Sequence, residues 1–340
     1  MDRGRVPQPH RFAALERLGT SAPLPVTLGD IHAAARFLER HLRPTPLIRR
    51  EALCDALGLE VLLKCENALP TAAFKVRGGL NLLGRDPSAR NGVIAASTGN
   101  HGQSLAYAGK VFGIPVTIVV PRGANPLKLA AMHAHGAAIV EHGSDYDEAR
   151  EECERRAKAD GLRYVHSGNE PYLIAGVATA TLEVLRERPD ADVLVVPVGG
   201  GSGAAGACLV AKAIRPEIRV IGVQSEGAPA AYLSWRDHAP REGGPIQTFA
   251  DGLETRTSFE LPQRILAALL DDFVLVSDAE LYRAMRLLLV DGHQVAEGAG
   301  AAATAAAAKL RDQLAGKTVV CWISGGNATA ESLARALASA

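Results

Sequence analysis

The sequence lacks an excess of charge of either sign, since Lys plus Arg and Asp plus Glu each number 37 among 340 residues. Such a balanced chain gives no electrostatic reason to expect nucleic acid or an anionic membrane as a partner. The five cysteines are odd in number and show no paired metal spacing, which argues against a disulfide framework and favours reduced thiols. No apolar run approaches the roughly 18 residues of a membrane-spanning helix, and the first residues lack the apolar core of a signal peptide. We therefore expect a cytoplasmic protein.

The chain does contain 34 glycines and is 47% hydrophobic, with short apolar runs that alternate with helical patterns from residue 92 onward. Such alternation predicts parallel sheets with right-handed crossovers, and a chain longer than roughly 250 residues is expected to form two cores. We therefore predict an α/β protein with two open, twisted, mainly parallel sheets flanked by helices. Residues 1–90 and 166–340 are expected to form a large domain and residues 91–165 a small one. Residues 1–25 are expected to form a loosely ordered arm, followed by a capping box at Thr27–Asp30.

The most informative segment is 70–79, in which Lys75 stands between Phe74 and a predicted helix, just after a half-buried strand at 61–66. A lysine at such a corner is partly desolvated, which lowers the pKa of its amine and frees it to attack a carbonyl carbon. An ordinary solvated helix lysine is the alternative. The hypothesis that Lys75 is reactive therefore needs support from elsewhere in the chain.

A first supporting segment is 96–103, which joins a strand at 92–95 to a helix at 104–111. Small polar residues and glycines at a helix start leave backbone N–H groups free to bind a carboxylate, with help from the helix dipole. A plain helix cap at Ser97 or Thr98 is the simpler alternative. Four small or amide residues in a row, followed by His101, exceed what a cap needs.

A second segment, 198–206, follows the buried strand at 193–196 and has the composition of a phosphate-binding loop. It also matches a dinucleotide fingerprint at Gly201-x-Gly203-x-x-Gly206, with Glu226 roughly 20 positions further on. A nicotinamide-dependent oxidoreductase and a purely structural glycine turn are therefore alternatives at this point. The third segment, 319–327, is a buried strand that ends at Ser324, where a ligand-facing hydroxyl and a helix cap are both possible.

Together these four segments resemble the fold-type II pyridoxal-phosphate enzymes, within the group of serine and threonine dehydratases and serine racemase. Further motifs of that group occur at 45–47, 64–67, 166–171, 250–252 and 295–300. The resemblance covers nearly the whole chain and implies the tryptophan synthase β-like fold, with pyridoxal 5'-phosphate held between the two domains and a homodimer as the assembly.

The resemblance also implies a role for each matching residue. Lys75 would join the cofactor aldehyde as a Schiff base and carry the proton of the substrate's α carbon, with Thr98 on the opposite face of the substrate. The cofactor-binding residues implied are Phe74, Lys75, Asn100, Gly199, Gly200, Gly201, Ser202, Gly203 and Ser324. The substrate carboxylate would be bound by Ser97, Thr98, Gly99, Asn100 and His101.

Ser324 bears on the reaction, because a neutral hydroxyl facing the pyridine nitrogen stabilises a carbanion less than an aspartate would and favours prompt loss of a β leaving group. We therefore expect dehydration and deamination of L-threonine or L-serine to a 2-oxo acid and ammonia. A racemase, a hydroxyaspartate-specific enzyme or a β-replacement synthase of the same fold is the near alternative, and a non-catalytic binder a more distant one. Racemisation is not favoured, because Thr98 stands where racemases of the group have serine.

Two departures from the group's pattern qualify these expectations. The usual Gly-Ser before the Phe-Lys pair is Ala72-Ala73 here, which removes a hydroxyl beside the lysine. A carboxylate that helps several relatives to bind a divalent cation is replaced by Gln224, and an amide is a poorer ligand for a hard cation. We therefore predict no metal site unless Glu226 takes the place of that carboxylate, and a solvated loop charge is the simpler interpretation of Glu226. Asp251, beside Gly252, is a further candidate that could order a catalytic water.

Overall fold

The computed structural model describes residues 24–124, 126–144 and 146–339, so most of the predicted N-terminal arm lies outside the described residues. Ten strands lie within this part of the chain: β1 Leu47–Arg49, β2 Glu60–Cys65, β3 Val93–Ala96, β4 Val116–Val120, β5 Ala138–Glu141, β6 Arg163–Tyr164, β7 Val193–Pro197, β8 Arg219–Ser225, β9 Asp272–Val276 and β10 Thr318–Ile323.

The α-helices of the described residues alternate with these strands. They are α1 Leu28–Leu38, α2 Glu51–Leu57, α3 Lys75–Arg85, α4 Asn100–Phe112, α5 Pro126–Ala134, α6 Tyr146–Asp160, α7 Pro171–Glu187, α8 Ser202–Ile214, α9 Ala230–Asp237, α10 Glu260–Leu269, α11 Asp278–Val290, α12 Gly298–Lys309, α13 Arg311–Leu314 and α14 Ala330–Ala338. Among the described residues, no helix is both long and apolar enough to span a membrane.

The larger sheet has six strands in the order β1-β2-β10-β7-β8-β9. All neighbours are parallel except β1, which pairs antiparallel with β2. Successive side chains enter two different cores: Leu194 and Val196 pack on one face, and Val193 and Val195 on the other. A strand that buries both faces has no polar alternation, which is why β7 is a continuous apolar run in the sequence.

The smaller sheet is wholly parallel, with the order β5-β4-β3-β6. Both sheets are flanked by helices, as predicted. The proposed division into a large domain of 1–90 and 166–340 and a small domain of 91–165 follows the two sheets, since β3 to β6 lie within 93–164, and it remains a prediction.

Local sequence signals explain several element boundaries. The capping box at Thr27 is confirmed, because its side chain accepts from the Asp30 backbone N–H while the Asp30 carboxylate accepts from the Thr27 N–H at 2.9 Å. The alanine-rich helix α12 is buried from residue 298 to 307. A Cβ at Gly300 would lie 2.1 Å from the Gly325 carbonyl oxygen, so this helix packs directly on the turn that follows β10.

Candidate active site

A cavity of about 400 Å³ opens between the two sheets, at the carboxyl ends of β3, β7 and β10. In α/β proteins, the carboxyl edge of parallel strands is where ligands bind. The cavity is lined by nine of the predicted site residues: Phe74, Lys75, Ser97, Thr98, Gly99, Asn100, His101, Gly200 and Ser324. Gly199, Gly201, Ser202 and Gly203 do not line it; the two glycines belong to the same loop as Gly200, and Ser202 and Gly203 begin α8.

Lys75 is the first residue of α3, and its position is fixed by the turn after β10. The Phe74 N–H donates to the Ser324 carbonyl at 3.0 Å, and Ala73 and Gly325 form an isolated antiparallel β-bridge. Ala72, just before, adopts a left-handed conformation with φ of 50°. The chain is thus held at the corner that the sequence predicted, on the C-terminal strand of the larger sheet.

The amine of Lys75 has no carboxylate partner within the described residues. Its Nζ donates to the Ser167 carbonyl at 3.0 Å and to Ser202 Oγ at 2.9 Å, and it lies 5.3 Å from the centre of the Phe74 ring. Desolvation lowers the pKa of Lys75 to about 8. A substantial share of the amine is therefore neutral near physiological pH, which a nucleophile and a base both require.

The glycine loop after β7 has no room for side chains. A Cβ at Gly199 would lie 2.2 Å from the Gly252 carbonyl oxygen, and one at Gly200 would lie 2.3 Å from the Phe259 ring. Gly201 has φ of 86°, a conformation that only glycine adopts without strain. The loop leads directly into α8, whose first backbone N–H groups are free of helix partners and suit a phosphate.

The third glycine of the dinucleotide fingerprint, Gly206, has a packing role in this fold. A Cβ there would lie within 3.0 Å of the Ala178 backbone, so the glycine allows α8 and α7 to approach closely. Gly203 faces Phe74, whose ring carbon would lie 3.1 Å from an added Cβ. Phe74 in turn packs edge-on against Trp322 at 6.1 Å.

The side-chain amide of Asn100 is oriented by two neighbours. Its Nδ2 donates to Glu297 Oε1 at 2.6 Å, and its Oδ1 accepts from Asn327 Nδ2 at 2.7 Å. One Nδ2 hydrogen remains for a ligand oxygen. Glu297 is buried, and burial raises the pKa of its carboxyl. The sequence signal for Glu297 was only the 295–300 motif, to which no role was attached.

In the loop after β3, Ser97 and His101 are buried while Thr98 and Gly99 are half-buried. Ser97 Oγ accepts the backbone N–H groups of Gly99 at 3.2 Å and Gly102 at 3.0 Å, so its hydroxyl shapes the loop. Burial, followed by the charge of Lys75, lowers the pKa of His101 to about 3 and keeps its ring neutral. Ser324 is buried, and its Oγ donates to the Ala299 carbonyl at 3.3 Å.

Part of the remaining cavity wall, including Lys128 and Glu254, was not identified as part of the site from the sequence. Lys128 on α5 forms an ion pair with Asp251, and both residues line the cavity. The suggestion that Asp251 orders a catalytic water remains a prediction. Burial lowers the pKa of Lys128 and raises that of Glu254, which also lines the cavity. Asp251 was a candidate from the sequence, but no local pattern of the sequence indicated that Lys128 and Glu254 lie beside it.

The chain resembles proteins of known activity over most of its length. It is 40% identical over 306 residues to an L-threonine ammonia-lyase of Thermotoga maritima, covering 89% of this chain and 76% of that one. The structure of a processed threonine deaminase, isoform 2, from Solanum lycopersicum superposes with a TM-score of 0.86 at 28% identity, over 94% of this chain and 96% of that one. A maize serine racemase structure gives a TM-score of 0.86 at 28% identity, over 92% and 97%.

These neighbours have the fold-type II architecture that the sequence predicted, with mainly parallel sheets flanked by helices. The family described as "Pyridoxal-phosphate dependent enzyme" matches residues 38–325, which include Lys75, the glycine loop and the start of the turn after β10. The family match argues against the alternative of a nicotinamide-dependent oxidoreductase. The chain therefore belongs to the pyridoxal-phosphate dependent enzymes.

Proposed function

We propose that this protein is an ammonia-lyase that converts L-threonine or L-serine to the corresponding 2-oxo acid and ammonia. The observation that carries the proposal is the desolvated amine of Lys75, 2.9 Å from the first residue of the helix that follows the glycine loop. The relative named L-threonine ammonia-lyase, 40% identical to this chain, supports the choice of reaction.

The residues around the cavity fit pyridoxal phosphate. The glycine loop and the start of α8 suit the phosphate, because glycines carry no Cβ that would keep a ligand from the backbone and the first N–H groups of a helix lack partners within the helix. Phe74 would flank the ring, and the free Nδ2 hydrogen of Asn100 would donate to the phenolic oxygen. When bound, the cofactor supplies an aldehyde for Lys75 and an electron sink that acidifies the α C–H bond of an amino acid.

Lys75 would act first as the covalent anchor and then, as a free amine, as the base at the α carbon. Its lowered pKa suits both tasks, since a base works best when its pKa lies near the working pH. The loop of residues 97–101 would hold the substrate carboxylate with backbone N–H groups at the start of α4, which favour a negative charge. Thr98 would face the substrate from the side opposite Lys75.

Ser324 would favour elimination over competing outcomes. It offers a neutral hydroxyl at the end of β10, and a hydroxyl does not hold a proton on the ring nitrogen as a carboxylate does. Negative charge at the α carbon is then delocalised less deeply, which favours prompt departure of the β hydroxyl. The cytoplasmic location, the homodimer, the two-domain division and the absence of a metal requirement remain predictions.

The experiment is a product assay with the full chain loaded with pyridoxal phosphate. L-threonine and L-serine should yield 2-oxo acid and ammonia in equal amounts, and Lys75→Ala should abolish the product. Lys158→Ala is the matched control, because Lys158 is an exposed lysine on α6 and should leave the rate unchanged. Formation of D-serine without 2-oxo acid would instead assign a racemase.

A further inference from the structure

We propose that the hydroxyl of Ser202 is a positioning group for Lys75, which holds the free amine so that its lone pair faces the cavity. The inference rests on the proposed function, in which Lys75 is the reactive amine. Ser202 is already expected to contact the phosphate, and the inference gives it a second role, toward Lys75. That role follows from the contact between Lys75 Nζ and Ser202 Oγ at 2.9 Å.

The number of hydrogen bonds decides the orientation of the amine. A neutral lysine amine has two N–H bonds and one lone pair. Both N–H bonds have acceptors here, the Ser167 carbonyl at 3.0 Å and Ser202 Oγ at 2.9 Å. The lone pair is therefore the only position on Nζ that no hydrogen bond uses. Because Lys75 lines the cavity, this lone pair is available to a ligand there. Two acceptors therefore fix the direction of the lone pair. With only one acceptor, the amine could change its orientation around the single remaining hydrogen bond.

Both acceptors are themselves fixed. Ser202 is 2% exposed and begins α8, directly after Gly201 with its left-handed backbone. The turn that carries the Ser167 carbonyl is held by His166, whose Nδ1 accepts the backbone N–H groups of Gly168 and Asn169 at 3.0 Å each. Lys75 has a four-carbon side chain with many rotamers, so rigid acceptors at its end restrict it more than flexible ones would.

No ion pair competes for this role in the part of the chain that the structure describes. The pKa of Lys75 is lowered by burial, and no neighbouring carboxylate among the described residues counters that effect by holding the ammonium form. An amine held by neutral acceptors stays available as a nucleophile and is still oriented. A carboxylate in place of Ser202 would orient the amine equally well but would favour its charged and unreactive form.

The test measures how fast Lys75 of the cofactor-free full chain reacts with two aldehydes, pyridoxal phosphate and pyridoxal, which lacks the phosphate. The adduct is followed by absorbance, then reduced with borohydride and located by peptide mapping. The variants are Ser202→Ala and Ser202→Thr, which keeps a hydroxyl. Ser234→Ala serves as the control, because Ser234 is equally buried, bonds the Ala230 carbonyl at 2.8 Å and does not line the cavity.

The two aldehydes separate the two roles of Ser202. If Ser202 positions Lys75, Ser202→Ala should slow attachment of pyridoxal about fivefold, the effect of one lost hydrogen bond, and Ser202→Thr should recover most of the rate. Ser234→Ala should match the parent protein. If Ser202→Ala slows only pyridoxal phosphate and leaves pyridoxal unaffected, Ser202 serves the phosphate alone and the inference is overturned.

The same experiment distinguishes failure of the proposed function. If the label is found on another side chain of the parent protein, or Lys75 carries none, Lys75 is not the reactive amine and the proposed reaction is refuted. Label on Lys75 with equal pyridoxal rates in all variants overturns only the positioning role. A Ser202→Thr variant as slow as Ser202→Ala also counts against the role, because the hydroxyl would then not be the group that matters.

Discussion

Arg77, two residues after Lys75, is the centre of a buried ionic cluster whose disruption should strongly destabilise the fold. Its guanidinium is 1% exposed and donates to Glu66 Oε2 at 2.6 Å and to Glu183 Oε1 at 2.6 Å. Lys64, also 1% exposed, donates to Glu183 Oε2 at 2.6 Å. The cluster joins β2, the residue that follows it, α3 and α7. We predict that Arg77→Met is strongly destabilising.

The expected loss of stability in Arg77→Met follows from the buried charge that the substitution leaves without a partner. Methionine fills much of the same volume, so the main cost is that Glu66, fully buried, loses its cationic partner. Removing one partner of a buried ion pair costs about 3 to 5 kcal/mol, because the other charge remains without water or counter-charge. Adding Glu66→Gln to Arg77→Met removes that charge, so the double variant should be more stable than Arg77→Met alone.

The pH dependence provides a second check. Burial raises the pKa of Glu183, but the charges of Arg77 and Lys64 outweigh it, so the net pKa lies below its ordinary value of 4.5. In the parent protein this contribution is present above the ordinary pKa and is lost as the pH falls through the lowered one. In Arg77→Met, Lys64 alone remains to counter the effect of burial, so the pKa of Glu183 is lowered less than in the parent protein. The variant therefore loses less stability from Glu183 than the parent protein does as the pH falls. The difference in unfolding free energy between the parent protein and Arg77→Met should therefore become smaller below about pH 5.

The assay is urea unfolding of each variant at a fixed cofactor concentration, since a bound ligand adds to the apparent stability. A loss below about 1 kcal/mol for Arg77→Met would show that water or relaxation satisfies the buried carboxylates. A double variant no more stable than the single one would refute the idea that an unpaired Glu66 is the cause.

Three further outcomes follow from the site. Gly199→Ala should lose the absorbance of bound cofactor, because the added Cβ would lie 2.2 Å from a backbone oxygen, whereas Gly99→Ala, with no atom within 4 Å of its Cβ, should keep it. Reaction of Lys75 with a small aldehyde in the cofactor-free protein should rise with pH around a midpoint near 8, and a midpoint at the ordinary 10.5 would contradict the desolvation argument. Glu297→Gln should be at least as stable as the parent protein in thermal unfolding at about pH 8. Burial raises the pKa of Glu297, so the contribution of this carboxyl to stability falls as the pH rises through that value. The difference in stability between the variant and the parent protein should be smaller at about pH 5. A Glu297→Gln protein much less stable at the higher pH would show that Asn100 needs a charged acceptor.

The features that the sequence predicted well are local ones. Lys75 at a strand-to-helix corner, the glycine loop before α8 and the hydroxyl at the end of β10 each depend on a few consecutive residues. Turn composition and apolar runs are set by neighbours in the chain, so they can be read without knowing what packs against them. The order of these segments, together with their resemblance to the motifs of a known group of enzymes, was enough to indicate the family.

The pairings that complete the site were decided only by the tertiary structure. Glu297 lies 197 positions from Asn100 along the chain, and their hydrogen bond exists because β10 inserts between β2 and β7 and brings α12 beneath the cavity. Asp251 forms an ion pair with Lys128, which lies 123 positions away in the sequence. Such contacts join residues far apart in sequence, and no periodicity or turn signal encodes which distant partner a charged side chain will meet. The sequence thus determined which chemical groups the site contains, and the packing of the two sheets determined which of them face one another.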